Sequence, residues 1–138
     1  MRFFIDTEFN GYLGDLISMA LVSEKGSEWY ECIPCLNPVP WVNKHVIPVL
    51  NQQPLADKSE MANSLFLFLR AYNHVHIVAD WPEDISYFCE LIVTGPGTRI
   101  NTPDLSFEII RDLPDTADTS RIPHNALEDA RALARSGG

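Results

Sequence analysis

The chain opens Met1-Arg2-Phe3-Phe4-Ile5 and then places two acids two positions apart, Asp6-Thr7-Glu8. In an extended strand, residues i and i+2 share a face, so Asp6 and Glu8 point the same way as Phe4 while Thr7 points opposite. Carboxylates set side by side repel unless one holds a proton, water solvates them, or a cation sits between them. Helix phase directs further acids inward. Over residues 84–93, Ile85, Phe88, Leu91 and Ile92 form one face that takes in Asp84 and leaves Glu83 outside. In the last helical stretch Ala126, Ala130, Leu133 and Ala134 form a stripe bordered by Asp129, with Glu128, Arg131 and Arg135 opposite. His124 falls about where that helix should begin and could hang over the same pocket. Asp80, just ahead of the Asp84 helix, reads as a capping residue. Asp6, Glu8, Asp84 and Asp129 are hard oxygen donors with few soft ligands beside them, a set that suits Mg²⁺ or Mn²⁺ better than zinc. Two such cations would explain why a buried strand ends in acids.

The elements that must position these residues follow from periodicity and turn chemistry. Residues 2–8, 16–22 and 28–33 read as a meander of three strands, the second and third joined by the Glu24-Lys25-Gly26 turn. A proline-bearing connection leads to a short helix near Val42 to Leu50 and a longer one from about Ser59 to Tyr72. A strand over His74 to Ala79 comes next. Pro82 suits the first turn of a helix running to about Val93, because its missing N–H is not needed there. Gly95-Pro96-Gly97 marks the exit, Leu105 to Ile110 a fifth strand, and residues 112–123 a loop before the last helix. Strands followed by alternating helix and strand predict an α/β fold, a mixed sheet with helices packed on it.

With 138 residues, 46% of them hydrophobic, the sequence is sized for a single domain over 1–138. No apolar run approaches the ~20 residues that span a bilayer, so no membrane partner is expected. No secretory signal pattern is evident at the N-terminus, and three cysteines fit a reducing compartment, so a cytoplasmic location is expected. Cys32 and Cys35 form a C-x-x-C without the second pair that a structural zinc site requires. A net charge of −9, from 19 acids against 10 bases, argues against a surface that grips long duplex through phosphates.

Asp6-Thr7-Glu8 after an apolar strand, Asp84 followed by Ile-Ser-Tyr-Phe, and His124 five positions before Asp129 resemble, in order, the three motifs of the DEDDh group of 3'–5' exonucleases. That group includes ribonuclease T, oligoribonuclease and polymerase proofreading subunits. The resemblance implies a ribonuclease-H-like mixed sheet of about five strands flanked by helices. It implies Asp6, Glu8, Asp84 and Asp129 as ligands of two divalent cations, Mg²⁺ or Mn²⁺, and His124 as general base. It also implies substrate contacts from Thr7, Phe9, Asn10 and Arg121, with Arg99 and Arg111 as further phosphate candidates. Where many members carry asparagine four places before the second-motif aspartate, this chain has Asp80. The small size and the Asp-Thr-Glu-Phe start are most similar to compact bacterial exoribonucleases. The expected substrate is therefore the 3' end of single-stranded RNA or a short oligonucleotide, with DNA as the alternative and a nucleoside monophosphate as product. A homodimer is also expected. The 112–123 loop is expected to be a mobile lid that lets the imidazole, with its ordinary pKa of about 6.5, approach the attacking water.

Two other classes stay open on sequence alone. An aspartyl-phosphate phosphatase also has an acid-x-acid at a strand end, with the first acid as nucleophile, but it gives no reason for His124 with Asp129. A non-catalytic module could hold RNA ends on the same fold.

Overall fold

A computed structural model describes residues 1–137. Five strands, β1 (Arg2–Phe9), β2 (Leu16–Ser23), β3 (Glu28–Cys32), β4 (His74–Ala79) and a later edge strand at Asp104–Ile109, form one sheet. From one edge to the other the order is β3-β2-β1-β4 and then the Asp104–Ile109 strand. β1 pairs antiparallel with β2 and parallel with β4, so the sheet is mixed, as a ribonuclease-H-like fold requires.

Helices cover both faces of β1, which is why Phe3, Phe4 and Ile5 are all fully buried. Phe3 and Ile5 pack with Met61, Leu65 and Leu69 of α2 (Lys58–Leu69) and with Phe88 and Leu91 of α3 (Pro82–Ile92). On the other face lies the C-terminal helix, Ala126–Gly137. Its Ala126 and Ala130 pack on Ala20 and Val22, and its Leu133 packs on Phe4 and Val78. Small residues let this helix lie close to the sheet: a Cβ on Gly137 would come within 2.6 Å of the Phe4 ring. At its middle Arg131 holds Glu28 of β3 through two guanidinium bonds of 2.6 and 2.7 Å.

Several boundaries differ from the sequence expectation for identifiable reasons. The helix expected over 42–50 splits into α1 (Pro40–His45) and a single 3-10 turn at Ile47–Val49. Pro48 has no N–H to continue an α-helical ladder. Gly95-Pro96-Gly97 is more than an exit. It turns a two-stranded hairpin, β5 (Val93–Gly95) with β6 (Thr98–Arg99), which makes the Asp104–Ile109 edge strand β7. The 112–123 loop contains one helical turn, α4 (Thr116–Thr119), capped by the Asp115 carboxylate. The last helix, α5, starts at Ala126 rather than His124. His124 has a left-handed φ of 72°, and the Asn125 Oδ1 caps the helix by accepting from the Glu128 amide at 2.9 Å. Among the described residues, no helix is long and apolar enough to cross a membrane.

Candidate metal and catalytic site

β1 outruns its parallel neighbour. Its pairing with β4 covers Arg2↔His76 to Phe4↔Val78, whereas its pairing with β2 continues through Asp6↔Ala20 and Glu8↔Ser18. The Asp6–Glu8 segment therefore lies at the carboxyl ends of β1 and β4, where the chain turns into α3. Sites in α/β sheets gather at such strand ends.

Five acids converge there from four segments. Carboxylate oxygens of Asp6, Asp80 and Asp84 lie within 4.8 Å of one another, and so do those of Asp6, Glu8 and Asp129. Asp6 belongs to both trios. Asp6, Asp84 and Asp129 are buried, and Glu8 and Asp80 are half-buried. No salt bridge from Lys, Arg or His reaches any of the five among the described residues. Burial without a counter-charge raises their pKa values. Desolvation lifts Asp6 well above the carboxylate range, with Asp84 and Glu8 adding repulsion. It lifts Glu8 to about 9, with Asp129 and Asp84 adding to the shift. Asp84 rises to about 7 by burial, opposed by hydrogen bonds from Thr7. Asp129 rises to about 6 by burial, opposed by the nearby Ser120 hydroxyl and then by the His124 amide.

The donor set fits divalent cations. Asp6 Oδ2 and Asp129 Oδ1 are buried acceptors without a hydrogen-bond partner among the described residues. An all-carboxylate set of this density is hard-cation chemistry. Ser18, across the ladder from Glu8, also holds a buried hydroxyl without a partner.

Local structure explains how each acid arrives. Asp84 sits in the first turn of α3, which Pro82 opens after an extended Trp81, and the helix dipole favours an acid there. The Thr7 hydroxyl and amide both donate to Asp84 Oδ1, at 2.5 and 3.2 Å. Asp80 corrects the capping expectation: Trp81 occupies the N-cap with no side-chain bond, and the Asp80 carboxylate belongs to the acid cluster. Asp129 faces the cluster from the first turn of α5, and its Oδ2 accepts from the His124 amide at 3.3 Å. The His124 ring packs against Trp41 and His45 of α1, with ring centroids 4.9 and 5.9 Å away. Burial, and then the nearby His45, hold its pKa below the ordinary value.

The remaining sequence candidates are placed as follows. Phe9, after a bulge in β1, stacks on Tyr87 of α3 at 4.6 Å. The Asn10 amide bridges loop to loop, donating to Asn37 O and accepting from the Val39 amide, both at 2.8 Å. Arg121 is exposed three residues before His124, and Arg99 and Arg111 are exposed on other segments. A groove of about 630 Å³ lies elsewhere, lined by Leu13, Leu16, Ile33, Tyr87 and Glu90; none of the five acids lines it. Sequence reasoning missed Trp41, His45, Ser18 and Asn125. The Trp41/His45 spacing of four on a short helix was the one available signal, since it puts both rings on one face.

The sheet order and the acid cluster at the end of its central strand define a ribonuclease-H-like α/β domain with a hard-cation donor set. Two curated proteins, each named a 3'-5' exoribonuclease, one from Mycobacterium tuberculosis strain CDC 1551 and one from strain H37Rv, are similar to it. Each is 30% identical over 165 aligned residues, covering 98% of this chain and 90% of the relative. The chain belongs to the 3'-5' exonuclease family that they represent. No family model matches it.

Proposed function

We propose that the protein is a divalent-cation-dependent 3'–5' exoribonuclease of the DEDDh type. It would remove nucleoside 5'-monophosphates from the 3' end of single-stranded RNA or short oligonucleotides. One observation carries this reading: the two carboxylate trios share Asp6, with His124 bonded through its amide to Asp129 of one trio. Two trios with a common member suit two cations, which Asp6, Glu8, Asp84 and Asp129 would hold, with Asp80 beside them. The relatives' names supply the substrate class and the direction of attack.

Bound Mg²⁺ or Mn²⁺ would polarise the scissile phosphate and compensate charge on the attacking and leaving oxygens. The chain's own groups do the rest. A lowered pKa keeps the His124 imidazole neutral near pH 7, so a ring nitrogen can take the proton of the attacking water. The water oxygen bonds to phosphorus and the P–O3' bond breaks. The terminal nucleotide leaves as a 5'-monophosphate, and the shortened chain gains a 3'-hydroxyl whose proton comes from solvent. Thr7 holds Asp84 in register, Asn10 shapes the loop after β1, and Phe9 and Arg121 contact the terminal base and a phosphate.

The test is a 5'-labelled single-stranded RNA with Mg²⁺ or Mn²⁺, beside a matched DNA and a dinucleotide. The expected result is a ladder shortening from the 3' end with 5'-monophosphate release, halted by EDTA and by Asp6→Ala. Internal cuts, or an undiminished rate in EDTA, would contradict the proposal.

A further inference from the structure

We propose that Asn125 and Trp41 are positioning residues that fix the His124 ring ahead of α5, through a bracket built from α1 and the 3-10 turn after it. The proposal rests on the general-base reading of His124 and names the parts that hold that base in place.

α1 has two working faces. Val42 and Val46 are buried against Ile17 of β2, which anchors the helix to the sheet. One residue back along each turn, the Trp41 and His45 rings lie 4.8 Å apart, tilted by 38°, and form a wall against His124. Trp41 meets the imidazole at an interplanar angle of 79°, an edge-to-face contact that resists ring rotation.

Asn125 fastens this wall to the chain that carries the base. Its side chain is buried, at 3% exposure. Its Nδ2 donates to Val49 O at 2.7 Å and to Leu50 O at 3.3 Å, the carbonyls that follow α1. Its Oδ1 caps α5, the helix that carries Asp129. One side chain therefore ties the segment that carries the wall to the helix that carries Asp129. The connection also accounts for the backbone: a left-handed φ at a residue other than glycine is uncommon and costs free energy unless its surroundings impose it. His124 is thus held at its ring by Trp41 and His45 and at its backbone amide by Asp129, a pre-organised arrangement for proton transfer.

Asn125→Asp isolates the clamp, because it keeps the capping oxygen and removes the donor to Val49 and Leu50. Trp41→Ala removes the wall at a half-exposed position where the core is untouched. In steady-state assays on single-stranded RNA, each variant is expected to lower kcat about tenfold to a hundredfold. KM and calorimetric Mn²⁺ affinity should stay within about twofold. Because both residues act through His124, adding either substitution to His124→Ala should cost nothing further. A parental kcat in Trp41→Ala, a rise in KM alone, or full additivity with His124→Ala would overturn the proposal. Should Asn125→Asp fail to fold, Trp41→Ala and its double variant decide. If His124→Ala itself cuts at the parental rate, the general-base reading fails. If His124→Ala is slow while Trp41→Ala and a folded Asn125→Asp are normal, the positioning proposal alone fails.

Discussion

The Thr7 hydroxyl and amide both donate to one oxygen of Asp84, joining the central strand to the start of α3 across 77 residues of chain. Strand alternation sends Thr7 to the face opposite Asp6 and Glu8, yet it serves the same cluster. It holds Asp84 Oδ1, while carboxylate oxygens of Asp84 and Asp6 lie within 4.8 Å of each other. A residue wedged between two metal-binding candidates in the sequence therefore supports a third that is distant in the chain.

Replacing Thr7 with valine keeps the shape and the amide bond but removes the hydroxyl. Hydrogen bonds to charged groups contribute about 1.5–3 kcal/mol, so Thr7→Val should cut kcat/KM by roughly tenfold to a hundredfold. Steady-state assays with Mn²⁺ titrated at each RNA concentration check this, and tighter Mn²⁺ binding in the variant would contradict it.

The cation-free protein should lose stability as pH rises. Glu8, Asp84 and Asp129 have folded pKa values of about 9, 7 and 6, all above their ordinary carboxylate values. The folded state therefore binds more protons than the unfolded chain from about pH 4 upward, and unfolding becomes easier through about pH 9. Thermal melts in EDTA at pH 5.5, 7 and 8.5 should show a falling Tm. Added Mn²⁺ displaces those protons, so it should raise Tm more at pH 8.5 than at pH 5.5.

Asp6→Asn should separate stability from activity. It removes the member common to both trios, and with it a buried charge that has no protein counter-ion. In EDTA at pH 8 its Tm should exceed the parent's by a few degrees, while RNA shortening falls by about a thousandfold or more. Asp80→Asn, which touches one trio, should cost less. Melting curves and assays on the same preparations check both.

Ala130 lies flat on Ala20 and Val22. Ala130→Leu should destabilise by about 1–3 kcal/mol through overpacking and should push Asp129 and the α5 cap away from β1. Denaturant unfolding with an unchanged slope and a lower midpoint is the expected signature.

Much of this arrangement was legible in the sequence because it follows simple periods. Alternation set Asp6 and Glu8 on one face, and helical phase turned Asp84 and Asp129 inward while leaving Glu83 and Glu128 out. What period cannot reach lies at element ends. Asp80 joins the cluster from the bend between β4 and α3, where the extended Trp81 takes the N-cap position, a placement that a capping rule does not describe. His124 and Asn125 were placed inside or at the start of a helix, whereas a left-handed residue and a cap set the ring's direction. The hairpin at β5 and β6 was hidden in a short Gly-Pro-Gly stretch, and Trp41 meets His124 because α1 docks on Ile17, a contact that no local period announces.

The most direct test is anomalous diffraction from crystals soaked in Mn²⁺ with a nucleoside 5'-monophosphate. Manganese peaks between Asp6 and its neighbours in each trio are expected, and both should vanish in Asp6→Asn. Ordered nucleotide with no manganese among these carboxylates, together with RNA shortening that persists in EDTA, would contradict the central claim that bound cations make this crowded anionic pocket possible.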